Sequence, residues 1–244
     1  MSLEARLNHP CFPQPISKDI KLWRYMDLSK FLWLVAEKQL HFSRLDQLQD
    51  EYEGSSTRRT LDGIRKYLEN LGQDMGEDFG QIYNESRERM YVNCWYCGNT
   101  ESEAMWRLYC PNRNGVAIQT TYNKMIKSIE KDEQLHIGMV TYADYESLSF
   151  PDANVFYPIM HKRIAFQHEN EVRIVSRLDA PQGEVQPLGY ALDFDPREVV
   201  ETIFVDPYGP QYHFQAVESA LRALAPDWNI KLEWSRMKAT PVFK

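Results

Sequence analysis

Glu169 and Glu171 are separated only by Asn170 in the run KRIAFQHENEVRIV, residues 162–175, and two carboxyl groups so close are the first residues here equipped for chemistry. Read as one strand, the run places Glu169, Glu171 and Arg173 on one face and Asn170, Val172 and Ile174 on the other. Val172 and Ile174 then anchor a core and hold the two carboxylates side by side. Like charges at that spacing raise the pKa of at least one partner, which suits a pair kept for acid–base work. The plainer reading is neutralisation, with Arg173, His168 and Lys162 as cations on a solvated edge strand.

The elements that must position this pair follow from periodicity. Residues 21–26 read as a strand, and Asp27 caps a helix in which Leu28, Phe31, Leu32 and Val35 recur at helical spacing. Residues 40–45 are a second strand, followed by an acidic loop, DQLQDEYEG, at 46–54. Leu61, Ile64, Leu68 and Leu71 mark a helix that Gly72 ends. A short helix at 81–87 precedes a strand at 90–95, and the capping box Thr100–Glu103 starts a helix through Tyr109. Further strands are expected at 115–120, 136–142, 163–175, 190–194, 201–205 and 231–234, with a last helix carrying Phe214, Val217, Leu221 and Leu224. Few strands are joined by a long helical crossover. The expected fold is therefore α+β, a mixed and mainly antiparallel sheet core with surrounding helices, as a single domain over residues 1–244.

Composition narrows the function classes. A chain of 244 residues with 43% hydrophobic and 13% aromatic content can bury a large core. No apolar run approaches the ~20 residues of a membrane span, and the opening MSLEARLNHP lacks the apolar stretch of a signal peptide, so a cytoplasmic protein without membrane attachment is expected. A net charge of −7 argues against indiscriminate adhesion to nucleic acid. Four cysteines, Cys11, Cys94, Cys97 and Cys110, do not make a disulfide scaffold. The Cys94-x-x-Cys97 spacing lacks a second closely spaced ligand pair, so reduced, buried and metal-free thiols are expected. Asp46, Asp50, Glu51 and Glu53 lack the alternation of an EF-hand and read as a solvated loop or one closing over a site. Phosphate loops and serine-hydrolase elbows are absent.

Arg24 stands between Leu22 and Met26 in the first strand, where an arginine either snorkels or serves an anion. Ser43 lies in the second strand. Together with Glu-x-Glu in a later strand, this order resembles the Arg–Ser–Glu signature of ADP-ribosyltransferases. The layout of LWRY, a short amphipathic helix and LHFS is also similar to the opening of DNA-targeting ADP-ribosyltransferase toxins and RNA 2′-phosphotransferases. The resemblance implies NAD as a substrate whose nicotinamide–ribose bond breaks through an oxocarbenium-like state. Glu171 would stabilise that state, Glu169 would position or deprotonate the acceptor, and Ser43 would orient the ribose or Glu171. Arg24 would hold a phosphate bidentately, with Arg107 as a second phosphate candidate, unless Arg107 only pairs with Glu103 one turn away. Tyr25, Trp106 or Tyr109 would stack on nicotinamide or adenine, unless they are core aromatics. The acceptor would be a protein, a nucleic acid or water, and the biological setting a bacterial toxin or antiphage effector.

A second resemblance spans most of the chain. LWRYMDLSKFLWLVAEKQLHFS, DEYEG, NCW, AMWRLY, GVAI, VTYADY and HENEVRI occur in that order. They resemble a large bacterial family of domains of unknown function typified by an L-x-x-Y start, F-S followed by D-x-x-E, M-W-x-x-Y, G-x-A-I and E-x-E-x-R-I. Tyr96-Cys97 falls outside that pattern. Two alternatives stand beside the enzyme: a noncatalytic module binding a nucleotide or partner chain on the same fold, and a metal-dependent nuclease built on the acidic loop.

Overall fold

Asp27 shows how local chemistry sets the first turn of this fold. Its carboxylate accepts from the Lys30 backbone N–H at 2.9 Å, which starts the helix Leu28–Glu37 where the first strand stops. The computed structural model describes residues 1–74, 76, 79–151, 154–181 and 184–240. Its strands are β1 (Lys21–Asp27), β2 (Gln39–Arg44), β3 (Met90–Cys97), β4 (Gly115–Thr121), β5 (His136–Met139) and β6 (Thr141–Ala143). They continue as β7 (His161–Arg163), β8 (Glu171–Arg177), β9 (Gly189–Asp193), β10 (Thr202–Val205) and β11 (Lys231–Trp234). The pairing is mixed and mostly antiparallel, with β10–β11 and β6–β7 parallel. The architecture is α+β. Among the described residues no helix is long and apolar enough to cross a membrane.

The chain forms two compact units, each assembled from three segments. One comprises residues 1–14, 41–93 and 132–190. Within it Ser43 of β2 faces Val92 of β3, and β8 pairs with both β3 and β5. With neighbours on either side, β8 is buried at every residue from Glu171 to Ser176. Gly138 of β5 lies opposite Arg173, and a side chain there would meet the Phe12 backbone at 2.8 Å, so glycine admits the N-terminal segment across the strand. Arg6 ties the same segment down by donating to the carbonyls of Asp132 and Leu135 at 2.6 and 2.5 Å.

The other unit comprises residues 15–40, 94–131 and 191–244. Here β1 runs antiparallel to β4 along its whole length, β10 continues on the far side of β4, and β11 closes the edge. Trp23, Tyr25, Met105, Trp106, Ala117 and Phe204 pack as one cluster, each large member contributing about 1.5–3 kcal/mol through its removal from water.

Several expected boundaries move. The helix after Thr100 begins later, as Glu103–Tyr109, because Ser102 is the residue whose hydroxyl accepts from Met105 N–H. The strand expected at 136–142 is two strands, β5 and β6, interrupted at Val140. The larger correction concerns residues 162–175, which are not one strand. After β7 the chain forms a 3-10 segment, Ile164–Glu169, turns at Asn170 with φ 36° and ψ 60°, and only then extends as β8. Asparagine tolerates this left-handed conformation, which breaks the alternation.

Candidate functional site

In spite of that break, Glu169 and Glu171 meet. Glu169 arrives from the end of the 3-10 segment and Glu171 from the first residue of β8, with the left-handed Asn170 folding one back toward the other. Their carboxyl groups are hydrogen-bonded to each other. Lys162 of β7 inserts its ammonium among three carboxyls, 2.7 Å from Glu169, 2.8 Å from Glu171 and 3.0 Å from Glu53. Arg173, one pleat along from Glu171, donates Nε to the second Glu171 oxygen at 2.8 Å and places both terminal nitrogens on Glu53 at 2.8 and 2.9 Å. It also donates to the carbonyl of Ile159 at 2.7 Å. All five of these charged side chains are buried.

The pair is therefore neither solvated nor on an edge strand. Lys162 and Arg173 do neutralise it, as one of the two sequence readings held, whereas His168 is exposed and takes no part. The acidic loop is also not a solvated one. Asp50 is buried and receives a bidentate contact from Arg163 at 2.7 and 3.2 Å, with the guanidinium stacked 4.2 Å over the Tyr52 ring. Asp46 receives Arg44, and Glu53 turns inward to the network. Lys162 fills the place between Glu53 and Glu171 that a cation would take in a carboxylate metal site. Among the described residues no group of three or more His, Cys, Asp or Glu side chains is arranged to hold a metal ion.

Electrostatics split the two glutamates. Burial, then the adjoining Glu171 carboxyl, push Glu169 up to about 7. Burial also works against the Glu171 anion, but Arg173, the hydrogen bond from Glu169 and Lys162 outweigh it, so Glu171 lies well below the ordinary carboxylate range. Burial disfavours the Lys162 ammonium, yet Glu171 and Glu53 more than reverse this and raise its pKa. Tyr142 lends its hydroxyl oxygen to the Glu171 backbone N–H at 2.9 Å, and burial keeps the phenol protonated.

The remaining sequence candidates sit as follows. Ser43, in the same unit as the glutamates, is half-buried on β2, and its hydroxyl is hydrogen-bonded to neither of them among the described residues. Arg24 lies in the other unit, donating to the Cys94 carbonyl at 2.8 Å with Trp95 5.9 Å beneath it; burial lowers its pKa. Tyr25 and Trp106 are core residues of that unit. Their rings meet edge to face at 4.9 Å, the Tyr25 hydroxyl accepts from Ser102 N–H, and the Trp106 indole N–H donates to Glu101 at 3.0 Å. Arg107 is exposed, bonded to Glu103 at 2.7 Å and stacked on Tyr208, which is the surface pair that i,i+4 spacing offers. Outside those candidates, His161 is half-buried with its Nδ1 against the Tyr157 carbonyl, and burial lowers its pKa. All four cysteines are free thiols, three of them buried, and desolvation pushes Cys110 up to about 12.

Sequence reasoning named Lys162 as a neutralising cation and Glu53 as a loop residue, but missed that Glu53 turns inward to share that lysine. The available signal was charge: a D-x-x-E pair beside two glutamates demands buried cations, and KR at 162–163 was the nearest supply.

No curated protein matches this chain. The solved structure of Thermus sp. 2.9 DarT in complex with carba-NAD+ aligns at a TM-score of 0.41 and 9% identity, covering 91% of this chain and 97% of that one. Residues 105–174, which hold the M-W-x-x-Y, G-x-A-I and E-x-E-x-R-I motifs and the buried Lys162–Glu169–Glu171–Arg173 grouping, match DUF2971, a family of proteins of unknown function.

Proposed function

We propose that the chain is an ADP-ribosyltransferase-like enzyme that breaks the N-glycosidic bond of NAD. The observation that carries this reading is the buried pair of neighbouring carboxyls in unequal surroundings, Glu171 held by Lys162 and Arg173 and Glu169 by Lys162. Environments that drive two neighbouring acids apart divide the work of a glycosyl transfer. Glu171, anionic throughout, stabilises the oxocarbenium ion as the ribose–nicotinamide bond breaks and its electron pair leaves with nicotinamide. Glu169, once ionised, takes the proton of the attacking acceptor as the new bond to ribose forms. The Arg–Ser–Glu order of the sequence adds its support, with Ser43, in the same unit as the glutamates, for the ribose. A protein or nucleic-acid acceptor, and service as a bacterial toxin or antiphage effector, belong to the same proposal.

The test is incubation with NAD, following nicotinamide release and transfer of label. Glu171→Gln keeps the side-chain shape while removing the charge and one acceptor oxygen, so the rate should fall by about two to three powers of ten, the ~3–4 kcal/mol that one oriented charge typically supplies. Glu169→Gln should impair transfer more than nicotinamide release.

One observation favours a noncatalytic binding module instead. Each Glu171 oxygen already has its own cation, Lys162 on one and Arg173 on the other, inside a buried network. On that reading Glu171→Gln lowers the melting temperature, and the wild-type protein neither binds nor consumes NAD.

A further inference from the structure

We propose that Lys162 is a positioning residue that, together with Arg173 and Glu53, leaves a single proton on the Glu169–Glu171 pair and confines it to Glu169. The inference rests on the reading of these two glutamates as the reacting carboxyls and names what sets their protonation.

Counting charges gives the proton. The buried network holds three carboxyls, Glu53, Glu169 and Glu171, and two cations, Lys162 and Arg173. A buried site of this kind is most stable when its charges cancel, which requires one carboxyl to stay protonated. Contacts decide which one. Glu171 touches both cations, at 2.8 Å each, and Glu53 touches both, at 3.0 Å and 2.8 Å. Among the described residues, Lys162 is the one cation that Glu169 touches. The carboxyl with one cation is the one that keeps the proton, and its hydrogen bond to Glu171 gives that proton an acceptor. Among the described residues, the other groups nearby do not alter the count. Asp50 and Arg163 neutralise each other, Tyr142 is a neutral phenol offering its oxygen to a backbone N–H, His168 is exposed, and His161 faces the Tyr157 carbonyl. The raised position of Glu169 and the lowered one of Glu171 agree with this assignment.

Glu53 gains a role from the same count. It pairs with both cations, and its charge answers half of the cationic complement. Removing it leaves two carboxylates facing two cations, with no proton required.

The test is infrared difference spectroscopy of the protonated-carboxyl stretch between pH 6 and 8, where exposed carboxyls are ionised. Wild-type protein should show one such group, titrating near neutrality. Glu169→Gln should remove it. Glu53→Gln should remove it as well, although Glu169 is intact, and this is the outcome that a merely structural Glu53 would not produce. Lys162→Arg should retain one protonated group, and Lys162→Met should show about two, since one cation then faces three carboxyls. In turnover, Glu53→Gln should move the rise of label transfer with pH to lower pH. A wild-type protein without the band, or a band that survives either glutamine substitution, overturns the proposal. Should Lys162→Met fail to fold, the two glutamine variants decide. The infrared result does not depend on NAD consumption. Absent turnover with the expected bands removes the enzyme reading and leaves the proton assignment; turnover without the bands does the reverse.

Discussion

A glutamate with a raised pKa leaves a mark on stability that can be measured without knowing the reaction. Glu169 is pushed up to about 7, against an ordinary value of about 4.3 in an unfolded chain. Between those values the folded state binds more protons than the unfolded state, so this group's stabilising contribution is full below about 4 and is lost as pH rises through about 7. Its size is about 4 kcal/mol as an upper figure. Glu171 has the opposite sign, its contribution being present above the ordinary carboxylate range and lost only as pH falls through its depressed value. Calorimetric melting should therefore show wild-type stability declining from pH 5 to pH 8 relative to Glu169→Gln, in which the declining part is absent; parallel curves would contradict the assignment. At this scale much was legible. Two carboxylates needing cations, with Arg173 and Lys162 nearby, could be read directly. Glu53 could not, because nothing local says that an acidic loop residue turns inward. Tyr25 and Trp106 show the reverse difficulty, since an aromatic residue type does not reveal whether its ring meets a ligand or the core.

Asn170 governs the elements on either side of it. At φ 36° it joins a 3-10 turn to a strand, and a β-branched residue there would pay the left-handed penalty. Asn170→Val should lower stability by about 1–2 kcal/mol and pull Glu169 away from Glu171, whereas Asn170→Gly should leave the melting temperature nearly unchanged. Denaturant titration of both variants checks this, and equal losses would show that another contact of Asn170 matters more. Gly138→Ala should be more disruptive, because its new methyl would meet the Phe12 backbone rather than a movable side chain. The alternation of charges in 168–173 reads as one strand because it counts residues and not backbone conformations; Asn170 was the sign of a turn within it. By contrast, Asp27 as a cap and Gly72, at φ +69°, as a helix stop were legible, since both effects are local.

The sheet class was legible at the scale of the molecule, because short strands without helical crossovers favour antiparallel neighbours. The division into two units was not. Each unit draws on three distant segments, and such assembly depends on contacts far apart in sequence. That residues 1–244 behave as one domain is a proposal with its own test. The chain passes back and forth between the units, so neither is a continuous piece, and heat or urea should unfold the protein in one transition by tryptophan fluorescence and circular dichroism together. Separate transitions by the two probes would assign the units independent stability.

A covalently attached ammonium among three carboxylates also has a consequence for descent. When a mutation removes Lys162, the surplus negative charge must be met by an extra proton on the buried carboxyls or by a second change in the same chain. Removing one partner of a buried ionic group costs about 3–5 kcal/mol, more than most proteins can lose without consequence. Lys162→Met joined to Glu53→Gln should be less destabilising than the sum of the two single changes, as members of one network are not additive. Related chains should accordingly trade these residues in compensated pairs: where the lysine is gone, a carboxylate will be gone with it.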